Sequence, residues 1–236
     1  MAPKAAVIGT GMMGVAHTDA LRRLGIEVVG IAGSSPERAR AKAAAANLPP
    51  VYESIDALLA DPAVDAVHVT SPNDVHAKQV RAALRAGKHI VCEKPLGVTS
   101  EETAELVALA EASGLVNAVC FNIRYYPHNQ NAAGLVRKGD IGQPRFVTGS
   151  YHQDWLLLET DWNWRLVGSR QGTLRAVADI GSHWLDLVAF VSARRVEAVC
   201  ADLHTFITER NHPIGEVETF GSGAVGDVER VRECME

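Results

Sequence analysis

The sequence predicts an α/β fold in its first half joined to an α+β second domain. Three observations predict it: short apolar runs alternate with helical patterns as far as Phe121, three spaced glycines separate the first run from the first helix, and the rhythm changes near Asn122. Strand followed by helix, repeated, builds a doubly wound parallel sheet covered on both faces. The change of rhythm sets the expected domains at 1–122 and 123–236.

Ala5–Ile8 reads as a buried parallel strand, and Met12–Leu24 carries apolar residues at helical spacing. Between them, Gly9, Gly11 and Gly14 stand as G-x-G-x-x-G. Gly9 permits the tight turn, Gly11 lets the backbone approach a pyrophosphate, and Gly14 lets helix pack on strand, while the free helix amides face the anion. Strand, glycines and helix together predict a dinucleotide site that includes Met12 and Met13.

Glu27–Ile31 is the second strand and Pro36–Ala46 an alanine-rich helix. At the end of that strand a carboxylate would bond the adenosine ribose and favour NAD. Here Gly33, Ser34 and Ser35 occupy the position with Arg38 one turn further, so NADP is as plausible as NAD. Arg38 also reads as an ordinary solvated helix charge.

Val51 and Tyr52 form a short strand, Ser54–Ala60 a helix capped by Ser54, and Ala66–Thr70 an apolar strand. Val75–Ala86 is the next helix, ended by Gly87, and His89–Cys92 the next strand. Thr99 and Glu102 cap a helix that runs to Ser113, before the strand Val116–Phe121. Ligands of such a sheet bind outside the carboxyl ends of its strands, here Gly9, Gly33, Thr70–Asn73 and Glu93–Pro95. Ser71, Asn73 and His76 therefore border the cofactor. His68 reads as a satisfied buried residue, and His17 and His89 as structural or surface residues.

Beyond Asn122, Asn129–Lys138 is helical, Phe146–Gln153 alternates as a half-buried strand, Asp179–Ser192 is a helix and Val196–Phe206 a long strand. Tryptophans cluster at 155, 162, 164 and 184.

Two constellations could carry chemistry. Lys94, between Glu93 and Pro95 at a strand terminus, can polarise a substrate oxygen as alkoxide charge develops, or it is a solvated turn lysine. Asp179 and His183 share a helical face, so the carboxylate can orient an imidazole that exchanges a proton with a hydroxyl. The bland reading is a helix-capping aspartate and a packed histidine. A metal site of Asp179, His183 and Asp186 is the weaker alternative, since no further ligand spacing supports it, and no metal is expected. His152 and Asp154 could line a polar pocket.

The formal net charge of −5, without a lysine or arginine block, argues against nucleic acid or an anionic membrane and for a small-molecule partner. No secretory leader or membrane span is read, and Cys92, Cys120, Cys200 and Cys234 fit reduced thiols, so a cytoplasmic protein is expected.

GTGMMG at Gly9–Gly14, SPNDVH at Ser71–His76, AGKHIVCEKP at Ala86–Pro95, NIRYYP at Asn122–Pro127 and DIGSHWLD at Asp179–Asp186 occur in order. On these motifs the chain resembles the glucose-fructose oxidoreductase/inositol dehydrogenase (Gfo/Idh/MocA) family of NAD(P)-dependent oxidoreductases. The resemblance implies an N-terminal Rossmann domain and a C-terminal domain with an open, mostly antiparallel sheet whose outer face forms homo-oligomer contacts. It implies that Lys94 and His183 contact the substrate, with His183 the acid/base, Asp179 its partner, and Asn73 and Glu93 beside the cofactor. Substrates of the family are sugars, inositols and related polyols, which Trp155, Trp162 and Trp164 suit by stacking; Tyr125, His152 and Arg165 complete the expected substrate set. Family members continue well past the equivalent of Phe206, so a shortened second domain with an unpaired edge at Val196–Phe206 is expected. The leading expectation is hydride transfer between nicotinamide and a polyol. The alternatives are a non-catalytic dinucleotide-binding regulator and an inactive truncated fragment.

Overall fold

The computed structural model describes residues 2–154, 156–167, 170, 172, 174–213 and 228–232. Contacts divide the chain into two compact units, Met1–Cys120 and Phe121–Glu236.

In the first unit, β1 (Ala5–Ile8), β2 (Val28–Ala32), β3 (Ala66–Val69), β4 (His89–Cys92) and β5 (Asn117–Val119) form one parallel sheet in the order β2-β1-β3-β4-β5. They are connected through α1 (Met12–Arg23), α2 (Pro36–Ala46), α3 (Ile55–Ala60), α4 (Asn73–Arg85) and α5 (Ser100–Ser113). The period of two along β1 explains why helices are needed on both faces. Ala6 and Ile8 enter a core with Leu58, Val67, Val80 and Leu106, whereas Ala5 and Val7 enter a second one with Leu21 and Ile31. Strand order reverses at β1, with β2 on one side and β3 on the other, so the ligand crevice of this topology opens between the carboxyl ends of β1 and β3.

The caps follow the sequence closely. Ser35, Ser54 and Thr99 accept hydrogen bonds from the amides of Arg38, Ala57 and Glu102. Glu102 returns its carboxylate to the amide of Val98, one residue before the cap. The expected strand at Val51 and Tyr52 contracts to a single bridge between Val51 and Ile31.

The second unit contains a 3₁₀ turn at Asn122–Tyr125, α6 (Pro127–Lys138) and a second 3₁₀ turn at Trp164–Leu166. A π-helical turn at Val177–Gly181 runs directly into α7 (Ser182–Ser192), so the helix expected from Asp179 begins wider than an α-helix. β6 (Glu209–Pro213) and β7 (Val228–Arg232) pair antiparallel.

Two expected strands are corrected: residues 146–153 and 196–206 carry no regular secondary structure. Alternation supplies a face, but a strand also needs a ladder partner. Phe146, Val199, Leu203 and Phe206 all lie exposed, and among the described residues the pairing in this unit belongs to β6 and β7. Among the described residues, no helix is long and apolar enough to cross a membrane.

Candidate functional site

The glycine turn is built for a close backbone approach. β1 delivers the chain into Gly9 at φ +121, where a Cβ would stand 2.4 Å from Thr70 Oγ1 and 2.8 Å from the Thr70 carbonyl carbon. A Cβ on Gly14 would stand 2.1 Å from the Gly9 carbonyl oxygen. The turn's own packing therefore demands these two glycines. Gly11 is different, since a Cβ there would meet no atom within 4 Å. It caps α1 with no side-chain hydrogen bond, and the first turn of α1 holds no acidic residue. Open space over bare backbone at an uncapped helix start fits a pyrophosphate. Met12, beside it, is exposed, and Met13 is half-buried.

Thr70 fixes the other side of the crevice by donating both its amide (2.8 Å) and its hydroxyl (3.0 Å) to the Ile8 carbonyl. At the end of β2, Ser34 and Arg38 are exposed. Glu37, on the first turn of α2, turns back toward Ser35. Hydrogen bonds from its own amide and from the Ser35 hydroxyl hold its carboxyl below the usual range.

Beyond β3, Ser71 donates its hydroxyl to Gln79, and Asn73 is buried at the start of α4. His76 is 0% exposed and its ring is enclosed by protein. Its Nδ1 lies 2.8 Å from the Pro95 carbonyl oxygen and its Nε2 2.8 Å from the Ser71 carbonyl oxygen.

Beyond β4 come Glu93, the half-buried Lys94, and Pro95 across a cis peptide. Glu93 is 8% exposed and faces inward. Its carboxylate accepts from His17 Nε2 at 2.8 Å, and the other ring nitrogen, His17 Nδ1, lies 2.9 Å from His68 Nδ1. Burial pushes the Glu93 carboxyl up, but hydrogen bonds from His17 and Cys120 and the nearby charges of His17 and Lys94 outweigh it and leave it low. Burial, reinforced by His17, pushes His68 down to about 4, and burial beside Glu93 pushes the Cys120 thiol up to about 12. Glu93 therefore spends its carboxylate on this internal network. Ligating atoms of His17, Glu93 and Cys120 lie within 4.8 Å of one another. Hydrogen bonds already join Glu93 to both neighbours, so the cluster is satisfied without an ion.

In the second unit, His183 is held edge-on by two rings, Phe121 at 5.9 Å and Tyr151 at 6.3 Å between centroids. Guanidinium groups meet the two carboxylates that flank it in sequence. Asp179, buried in the π turn, lies 3.2 Å from Arg165 Nε, and Asp186 takes a two-pronged contact from Arg124, with Nε at 3.0 Å. The bond to Asp186 raises the Arg124 pKa further, and its guanidinium also covers the Phe190 ring. These pairings oppose the alternative in which Asp179 and Asp186 ligate a metal. Arg165, an expected substrate contact, lies against Asp179 and over the Trp164 ring at 4.6 Å. Tyr125 and His152 are exposed, Trp162 and Trp164 are half-buried, and Trp155 lies outside the described residues.

An open apolar cleft of about 320 Å³ is lined by Gly149, Tyr151, Val177, Gly181, Trp184 and Leu185. Tyr151 belongs to both this cleft and the surroundings of His183. Sequence reasoning missed Tyr151 and Phe121, whose aromatic character was legible but whose place beside His183 was not. It also missed Arg210, which ties the 156–161 segment to β6 through the carbonyls of Leu156, Leu158 and Asp161.

Comparison with known proteins agrees with the first unit's architecture. The model of the oxidoreductase family with an NAD-binding Rossmann fold, GFO/IDH/MocA, matches residues 4–121, and that of the GFO/IDH/MocA C-terminal domain matches residues 129–232. Levoglucosan dehydrogenase from Pseudarthrobacter phenanthrenivorans is 32% identical over 232 residues, covering 94% of this chain and 59% of that protein. The 1,5-anhydro-D-fructose reductase of Ensifer adhaerens is 34% identical over 172 residues, covering 73% of this chain and 51% of that protein. A solved structure of levoglucosan dehydrogenase in complex with NADH and L-sorbose superposes with a TM-score of 0.84 at 32% identity, covering 90% of this chain and 58% of that one. The chain thus spans between half and three-fifths of the length of these relatives.

Proposed function

The chain belongs to the GFO/IDH/MocA oxidoreductase family with its NAD-binding Rossmann fold, and from that premise we propose that it moves a hydride between a nicotinamide cofactor and a carbinol carbon of a sugar-like substrate. The observation that carries the reading is the turn at Gly9, Gly11 and Gly14, where two glycines are demanded by packing and the third leaves open space over the uncapped start of α1. Bound dinucleotide supplies the hydride acceptor, and the chain supplies the rest. Lys94, at the terminus of β4, stabilises negative charge on the substrate oxygen as the C–H bond weakens. His183 accepts the hydroxyl proton, with Asp179 as its partner in orientation. Exposed Tyr125 and half-buried Trp164 offer aromatic faces to a sugar ring.

The sugars that the two relatives are named for, levoglucosan and 1,5-anhydro-D-fructose, support a cyclic sugar or anhydrosugar class over an acyclic acid. Ser34 and Arg38 offer a hydroxyl and a cation to a 2′-phosphate, while Glu37 opposes it, so the adenosine end accepts both NAD and NADP in this reading.

The test is turnover of K94A and H183A with a panel of pyranoses and anhydrosugars, alongside NADH binding. Both variants should lose at least about 100-fold in kcat with NADH affinity within about threefold of wild type. Unchanged turnover in both would reject these roles. Cofactor binding without turnover by the wild type would favour a regulatory dinucleotide-binding protein.

A further inference from the structure

Lys94 lies between two residues that buried histidines grip from opposite faces of the sheet. On one side His17 reaches from α1, whose Leu21 joins the Ala5 and Val7 core, and donates to the Glu93 carboxylate at 2.8 Å. On the other, His76 reaches from α4, whose Ala77 and Val80 join the opposite core, and bonds the Pro95 carbonyl at 2.8 Å. The second nitrogen of each ring is also anchored: His17 to His68 at 2.9 Å, and His76 to the Ser71 carbonyl at 2.8 Å. His17 is 8% exposed and His76 0%, so neither ring is placed to touch substrate.

We propose that His17 and His76 are positioning residues, a two-sided brace that fixes where the Lys94 ammonium stands at the end of β4. A four-carbon side chain has many rotamers, and the backbone turn that carries it is the part the protein can hold rigid. Ordinary packing would need only apolar contacts at these two sites. Instead two buried polar rings spend their hydrogen-bonding capacity on the residues immediately before and after the lysine. The Ser71 bond adds a second consequence, since it ties the Lys94 turn to the loop after β3 that borders the dinucleotide crevice.

The inference rests on the reading of Lys94 as a substrate contact, and its test includes a measurement that does not need turnover. Lysines are labelled by reductive ¹³C-methylation, and the Lys94 resonance is identified by its loss in K94R. Four variants compare retained with lost bonds. H17Q places an amide nitrogen where Nε2 stood and keeps the bond to Glu93, whereas H17L removes it. H76N keeps a donor near the Nδ1 position toward Pro95, whereas H76Q moves it away toward Ser71. The Lys94 resonance should keep its wild-type position in H17Q and H76N and shift or split in H17L and H76Q. In the same pairs kcat should fall about 10- to 100-fold in the variants that lose the bond, with NADH affinity within about twofold of wild type. A wild-type Lys94 resonance in both H17L and H76Q overturns the brace. Should H17L not fold, an unshifted resonance in H76Q alone overturns it. If the wild type turns over no sugar, the functional reading fails, and the resonance still decides the brace.

Discussion

His68 should make the first unit lose stability on mild acidification. Burial and the neighbouring His17 lower its pKa from 6.5 to about 4, so the folded state resists protonation while the unfolded chain accepts it. The unfolded state therefore binds more protons between these two values, and stability falls as pH drops through that window. From about pH 7 to about pH 5 the single histidine should cost about 2 kcal/mol, with the full shift approaching about 3 kcal/mol nearer pH 4. Glu93 acts in the same direction, but its carboxyl starts from 4.5 and its contribution is lost only below that value, so the upper window isolates His68. Native-state hydrogen exchange at the β3 and β4 amides, corrected for intrinsic rates, reads the opening of this unit by itself. H68N, which keeps a polar atom facing His17 but cannot titrate, should lose about 2 kcal/mol less than the wild type over that step. An equal loss in both would refute the assignment of the proton to His68.

Three further outcomes follow from the geometry. G14A forces a Cβ to 2.1 Å from the Gly9 carbonyl oxygen and should destabilise the unit by about 3 kcal/mol or more, whereas G11A meets nothing and should melt as the wild type while weakening NADH binding roughly tenfold; thermal melts and nicotinamide fluorescence check the pair. R124M leaves the Asp186 carboxylate, largely buried, without its guanidinium and should cost about 2–3 kcal/mol in urea unfolding, with much of the loss recovered in R124M/D186N. R38A should weaken NADPH binding about tenfold and NADH binding little, and E37Q should strengthen NADPH binding several-fold, as direct titrations would show.

The first unit was largely legible because its determinants are local. Ala5–Ile8 announces a strand, Gly9–Gly14 the turn, and Ser54 and Thr99 the helix starts, each through chemistry confined to a few residues. The network around Glu93 was not legible, because His17, His68, Glu93 and Cys120 come from four separate elements and meet only when the sheet forms. The motif located His76 next to the loop after β3, while the direction of its ring depends on the Pro95 and Ser71 carbonyls, which the local pattern does not reveal. In the second unit the alternation at 146–153 and the strand expected at 196–206 produced neither a buried face nor a ladder, and nearly all of these residues lie exposed, because pairing is a property of two segments and not of one. The Asp179 side chain likewise meets Arg165, fourteen positions earlier in the chain, a pairing that helical spacing around His183 cannot reveal.

The proposed reaction is hydride transfer between a sugar carbon and nicotinamide. It is tested most directly by incubating the purified chain with NAD or NADP and pyranoses or anhydrosugars deuterated at their carbinol carbons, then locating the label by NMR. Deuterium should appear at C4 of the reduced nicotinamide, on one face of the ring, with the transfer lost in K94A and H183A. Saturable cofactor binding with no label transferred from any of these sugars would contradict it.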